Sequence, residues 1–317
     1  MVLHVEKLTK SFGEKRILSD ISFSVRCGEI LGFLGRNGVG KTTTFRIIMN
    51  IFQADTGCVL LNSKPLNYSR VRLGYLPEER GLYSKLKVGE QMIYLGELRG
   101  MSRQKAKRTA QTILDELDAI DFWNKKLDIL SKGNQQKIQF AVSLMNDPDI
   151  LILDEPFTGL DPINAVALKR VIDNRASCGK IVIFSSHQMP YVDDFCERIC
   201  ILNEGKVVLD GRIKDLKRSH SRNRIAVWPR VKPYEYYETI MSNDDLKSIE
   251  MFHFIERDKI EFSIKHELHM GKLLKVIGSY LDHIDRFQIV EPSLEDIFIM
   301  YAENKNNDTT RQTLGTK

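Results

Sequence analysis

Two periodicities divide the chain. Residues 2–8 and 21–25 alternate apolar and polar positions, which predicts strands with one buried face. Ile30–Leu34 and Ile150–Leu153 are apolar throughout, which suits strands covered on both faces. Shorter strands are predicted at Cys58–Leu61, after Gly57 and before an Asn62–Pro65 turn, and at Leu73–Leu76, ended by Pro77. Lys41–Ile51 reads as a helix. From about Val88 to Met145 the period becomes helical, with Ala106, Ala110, Ile113, Leu114 and Leu117 on one face behind Ser102 as N-cap. The strands resume at Ile150, followed by a helix around Asn164–Arg175 and a strand at Lys180–Ser185. Ile199–Leu202 and Val207–Leu209 flank Asn203-Glu204-Gly205-Lys206, a hairpin signal. This alternation predicts an α/β core with a largely parallel sheet, helices on both faces and a helical insertion.

The pattern changes after Lys217. Lys217–Arg222 is polar and basic and reads as a joint. Beyond it the order is strand 224–228, helix 234–241, strands 248–255 and 258–264, helix 267–280, strand 284–290 and helix 294–303. Before that last helix the order is βαββαβ, a ferredoxin-like α+β arrangement. Residues 304–317 are polar and without period, so disorder is expected there. The domain organisation read from the sequence is 1–218, with its helical subdomain at about 78–148, then 219–303, then the tail.

Composition adds limits. With 317 residues, 42% hydrophobic and 28% charged, the chain suits one large or two moderate globular domains. A net charge of +5 is mild and fits a solvated surface. Five cysteines without framework spacing argue for reduced thiols. Cys196 and Cys200 are spaced to share a helix face, but no second ligand pair accompanies them. No apolar run reaches the ~18 residues that span a bilayer, so work at a membrane requires another chain.

The chemistry concentrates in Gly35-Arg36-Asn37-Gly38-Val39-Gly40-Lys41-Thr42-Thr43, between a predicted strand and a predicted helix. Such a P-loop turns backbone N–H groups toward phosphate, at a helix end that carries partial positive charge. Lys41 is placed for the β- and γ-phosphates of a nucleotide, and the Thr42 hydroxyl for Mg2+. Asp154 and Glu155 follow the apolar strand 150–153, at the strand end where open α/β sheets bind ligands. Asp154 suits the Mg2+ shell, and Glu155 suits activation of the attacking water. Leu130-Ser131-Lys132-Gly133-Asn134-Gln135 opens another helix, about fifteen residues before Ile150, and offers a second anion site. One nucleotide cannot reach both helix ends across the helical insertion. A second subunit could use the other.

Taken in order, these motifs make residues 1–218 resemble an ABC transporter ATP-binding subunit. Gly35–Thr43 matches its Walker A motif, Leu130–Gln135 its signature, Ile150–Pro156 Walker B, Thr158–Pro162 the D-loop and Ser185-Ser186-His187 the switch histidine. Phe12 stands where the family stacks an aromatic ring on adenine. The resemblance implies a P-loop ABC-type cassette that pairs head to tail as a homodimer or heterodimer. ATP then lies between one subunit's Walker A and the other's Ser131, Gly133 and Asn134. Asp161 links the two sites, His187 holds the γ-phosphate and the attacking water, and Glu155 is general base. The implied partner is a separate transmembrane permease at the cytoplasmic face of the membrane, with no nucleic acid. The alternative, a soluble ABC ATPase on the ribosome or nucleic acid, usually has two cassettes or a long coiled coil, and this chain has neither.

Two departures stand out. Leu76-Pro77-Glu78 places Glu78, a candidate Mg2+ ligand, where the family usually has Gln. Lys132 and Asn134 replace a glycine and a glutamine of the signature. Both features, with the C-terminal block, resemble a prokaryotic subgroup that exports sodium ions, drugs and peptides.

Overall fold

A computed structural model describes residues 1–79, 81–221, 224–247, 251–264 and 269–302. The described residues form two compact units, residues 1–212 together with Tyr301 and Ala302, and residues 213–300.

The first unit opens with an antiparallel hairpin, β1 (Val2–Phe12) and β2 (Lys15–Arg26), in the register Val5↔Phe23. β3 (Ile30–Leu34) is buried at every residue, as its apolar run demands. α1 (Lys41–Ile48) stops three residues earlier than predicted. Asn50 takes the left-handed conformation at φ 58°, and the amides of Asn50 and Ile51 close back on the Ile47 and Arg46 carbonyls. That pair of bonds is a Schellman termination, which Asn tolerates well.

β4 (Thr56–Leu61) pairs with β1, and the two-residue β5 (Lys64–Pro65) completes a sheet in the order β2-β1-β4-β5. β6 (Leu73–Leu76) leads into the helical insertion: α2 (Val88–Leu98), α3 (Arg103–Glu116) and α4 (Lys132–Leu144). Ser102 caps α3 by accepting the Lys105 amide, and all five apolar residues of its predicted face are buried. β7 (Ile150–Asp154), α5 (Pro162–Ser177) and β8 (Ile181–Ser186) follow. α6 (Met189–Phe195), which the pattern did not reveal, precedes the hairpin β9 (Arg198–Asn203) and β10 (Lys206–Arg212).

The second sheet runs β10-β9-β3-β8-β7-β6, parallel except for β10. β3 and β8 sit at its centre, so the segments after β3, β7 and β8 all emerge at their carboxyl ends, where ligands bind in such sheets. Cys196 follows α6 while Cys200 lies in β9, so the two do not share a helix face. Burial pushes both thiols well up from their usual range, which keeps them unreactive.

In the second unit the basic stretch read as a joint is largely helical: α7 spans Ile213–Ser221. β11 (Arg224–Pro229), α8 (Pro233–Met241), the short α9 (Asp244–Lys247), β12 (Met251–Ile255), β13 (Ile260–Ile264), α10 (Met270–Ser279), β14 (Ile284–Ile289) and α11 (Leu294–Ala302) follow. Strand order β12-β13-β11-β14, with every pair antiparallel, is ferredoxin-like. Ile225, Val227 and Phe262 of the sheet pack with Tyr236 and Ile240 of α8 and Leu273 and Ile277 of α10. Residues 248–250, 267–268 and 303, included in predicted elements, and the 304–317 tail lie outside the described residues.

Candidate nucleotide site

Gly40 takes φ 110°, and a Cβ there would stand 2.4 Å from the Leu18 side chain, so only glycine fits this turn. No side chain caps the α1 N-terminus, which leaves its first N–H groups for a ligand. Lys41 is buried, and its ammonium donates to the Gly35 and Arg36 carbonyls at 2.7 and 3.2 Å. Burial lowers its pKa, against the opposing pull of Glu155, Asp154 and Glu78.

Beside the loop lies a cavity of about 350 Å3, lined by Phe12, Ile17, Asn37, Gly38, Gly40, Lys41, Thr42, Thr43, Glu78, Asp154 and Glu155. Phe12, at the end of β1, is 46% exposed and packs edge-on against Phe52, so ring area remains for stacking. The Thr42 hydroxyl donates to Asp154 Oδ2 at 2.7 Å, across 112 positions of sequence. Ser185 Oγ donates to Asp154 Oδ1 at 2.6 Å and accepts the Glu155 amide at 3.0 Å. One hydroxyl on β8 thus fixes both acidic residues. The Ser185-Ser186-His187 motif contained it, but spacing alone gave it no role; a hydroxyl at the end of the neighbouring strand was the available signal.

Glu155 is buried and left-handed at φ 52°, an uncommon state for a residue with a side chain. Its Oε2 lies 2.9 Å from His187 Nδ1, within reach of the ring N–H, while Oε1 is buried without a protein partner. Thr42, Asp154 and Glu78 offer only hard oxygen donors, and three carboxylates face the single ammonium of Lys41. That donor set fits Mg2+, which takes one or two carboxylates together with phosphate and water. Among the described residues, no group of three or more His, Cys, Asp or Glu is placed to hold a metal ion.

Ser131, Gly133, Asn134 and Asp161 do not line this cavity. Ser131 caps α4 by accepting the Asn134 amide, and Asp161 caps α5 by accepting the Asn164 amide. The two segments touch: a Cβ on Gly133 would stand 3.0 Å from the Gly159 carbonyl. A larger cavity of about 520 Å3, lined by Lys87, Arg103, Lys107 and Trp123 among others, lies on the helical insertion and holds none of the predicted site residues.

The family model "ABC transporter" matches residues 18–158, and "ATP-binding protein DrrA1-3-like, C-terminal domain" matches residues 211–302. The chain is 38% identical over 304 residues to YhaQ, an uncharacterized ABC transporter ATP-binding protein of Bacillus subtilis (strain 168), covering 94% of this chain and 97% of that one. It is 29% identical over 304 residues to the linearmycin resistance ATP-binding protein LnrL of the same organism, again covering 94% and 97%. A solved structure described as the ATP-binding subunit of an ABC transporter has a TM-score of 0.63 at 27% identity, covering 69% of this chain and 93% of that one. The chain belongs to the ABC transporter ATP-binding proteins and is an ATP-binding subunit with a DrrA-like C-terminal domain.

Proposed function

We propose that this subunit hydrolyses ATP, as one of a head-to-tail pair, to drive export through a separate permease at the cytoplasmic face of the membrane. The Glu155–His187 contact beside Thr42 and Asp154 carries the hydrolytic part. The P-loop N–H groups and Lys41 bind the phosphates, and Phe12 stacks on adenine. Glu155 takes a proton from the water that attacks the γ-phosphorus, ADP leaves, and His187 orients the water and the γ-phosphate. Thr42, Asp154 and Glu78 would hold Mg2+, which when bound neutralises charge on the phosphate oxygens.

The separation of Ser131, Gly133, Asn134 and Asp161 from the cavity supports a site completed by a second subunit. Homodimer and heterodimer satisfy this geometry equally. Among the described residues no helix is long and apolar enough to cross a membrane, in keeping with a separate permease. A relative named for lipopolysaccharide export, LptB of Haemophilus influenzae, 29% identical over 238 residues, supports outward transport. The two family matches support two domains, with α7 bridging the boundary placed after residue 218.

The test is Glu155→Gln. Turnover should fall at least 100-fold with ATP binding intact, and saturating ATP should trap a dimer visible by light scattering. A variant that stays monomeric with ATP bound rules out the paired mechanism. One that still turns over removes Glu155 as general base.

A further inference from the structure

Gln139 lies in α4, eight residues after Ser131, and is only 5% exposed. Its Nε2 donates to two backbone carbonyls, Pro77 O at 3.2 Å and Glu79 O at 2.9 Å. These carbonyls flank Glu78. An amide NH2 carries two hydrogens, so one group satisfies both acceptors, and burial keeps water from replacing it. Both sides of Glu78 are therefore pinned to α4, while the Glu78 side chain lines the nucleotide cavity with Thr42, Asp154 and Glu155. The same helix begins at Ser131. About 12 Å of continuous helix separates the two residues.

We infer that Gln139 is a positioning residue. It holds Glu78 against the cation- and phosphate-facing wall of the cavity and makes the Glu78 segment move with the signature helix. The inference rests on the ATPase reading and on Glu78 serving the site. A side chain that orients a metal-facing ligand without touching the metal typically changes affinity or activity by roughly 10- to 100-fold when removed.

The experiment measures ATPase rate against ATP and against Mg2+, with mant-ATP fluorescence for binding. Gln139→Ala should lower kcat roughly tenfold and raise half-saturating Mg2+ about threefold or more, with mant-ATP affinity within about twofold of wild type. Gln139→Glu keeps the volume and guards against a simple folding defect. Its ionised carboxylate cannot donate, whereas the protonated form restores one bond. Its rate relative to wild type at each pH should therefore rise from pH 8.5 to pH 6 by about threefold or more. Glu78→Ala closes a double-mutant cycle: once Glu78 is truncated, Gln139→Ala should cost no further activity. Independent, multiplying losses in the double variant overturn the inference. So does a Gln139→Ala enzyme with unchanged kcat and Mg2+ dependence, or a Gln139→Glu enzyme whose relative rate is flat with pH. A wild-type protein that binds mant-ATP but does not hydrolyse ATP overturns the ATPase reading instead, and is recognised before any variant is compared.

Discussion

Two helix ends in the first unit carry the residues proposed to bind phosphate and are built in opposite ways. The α1 end has a left-handed glycine, no side-chain cap and a buried ammonium drawn over the loop. The α4 end is closed by its own residues: Ser131 accepts the Asn134 amide, and Gln135 donates to the Leu130 carbonyl. Every helix leaves about four N–H groups unpaired at its start. At α1 they stand ready beside a fixed cation. At α4 a ligand must displace a local bond, and the lysine of that run, Lys132, is exposed rather than buried over the turn. A concentrated charge held in a dry interface is the ligand that manages this, because hydrogen bonds to ions strengthen as water is excluded. In the paired mechanism proposed above, α1 binds nucleotide alone and α4 acts on closure.

Variants can break that contrast. Lys41→Ala should have the largest effect: mant-ATP affinity falls at least about 100-fold and turnover disappears, since the loop loses the buried ammonium that lines the cavity. Ser131→Ala should separate the two ends. Turnover falls roughly 10- to 100-fold while affinity in the monomer stays within about twofold, and loss of the cap lowers unfolding stability by about 1 kcal/mol. Equal loss of monomer affinity in both variants would erase the distinction. Glu78→Gln should be milder, with ATPase activity kept within about threefold by titrated assay, because an amide oxygen still ligates a hard cation. Complete loss would assign that carboxylate a catalytic duty.

The smallest effect lies outside both ends and serves as a control. Burial raises the Asp149 pKa, but hydrogen bonds from Arg72 and Lys180 outweigh it and hold the carboxyl at about 2. A carboxyl depressed on folding stabilises the native state above its unfolded pKa of about 4, and that contribution fades as pH falls toward 2. Asp149→Asn should therefore lower unfolding stability near neutral pH by about 1–2 kcal/mol, with the gap to wild type closing below pH 4 in denaturant titrations. ATP affinity should be unchanged in this variant.

Much of this arrangement was legible in the chain. Uniformly apolar strands at Ile30–Leu34 and Ile150–Leu153 and the helical period at 88–145 located the cassette and its insertion, because burial on one or two faces writes itself directly into residue spacing. The βαββαβ order after residue 223 announced the ferredoxin-like sheet in the same way. The end of α1 was misjudged because apolar Ile51 continues the pattern past a backbone reversal at Asn50, and positive φ at an asparagine leaves no hydrophobic signature. α6 escaped because seven residues with Pro190 near the start show too little period to register.

The sequence by itself supplied the local runs: a P-loop and a carboxylate pair by their spacing, and a signature and a switch histidine by their resemblance to the family. Tertiary structure alone decided which groups meet. Ser185 reaches Asp154 and Glu155, Thr42 reaches Asp154, and Gln139 grips both sides of Glu78, over separations of 30 to 112 residues. Such bonds depend on strand order and helix packing, and a polar side chain at one position does not reveal which distant backbone or carboxylate the fold will bring to it.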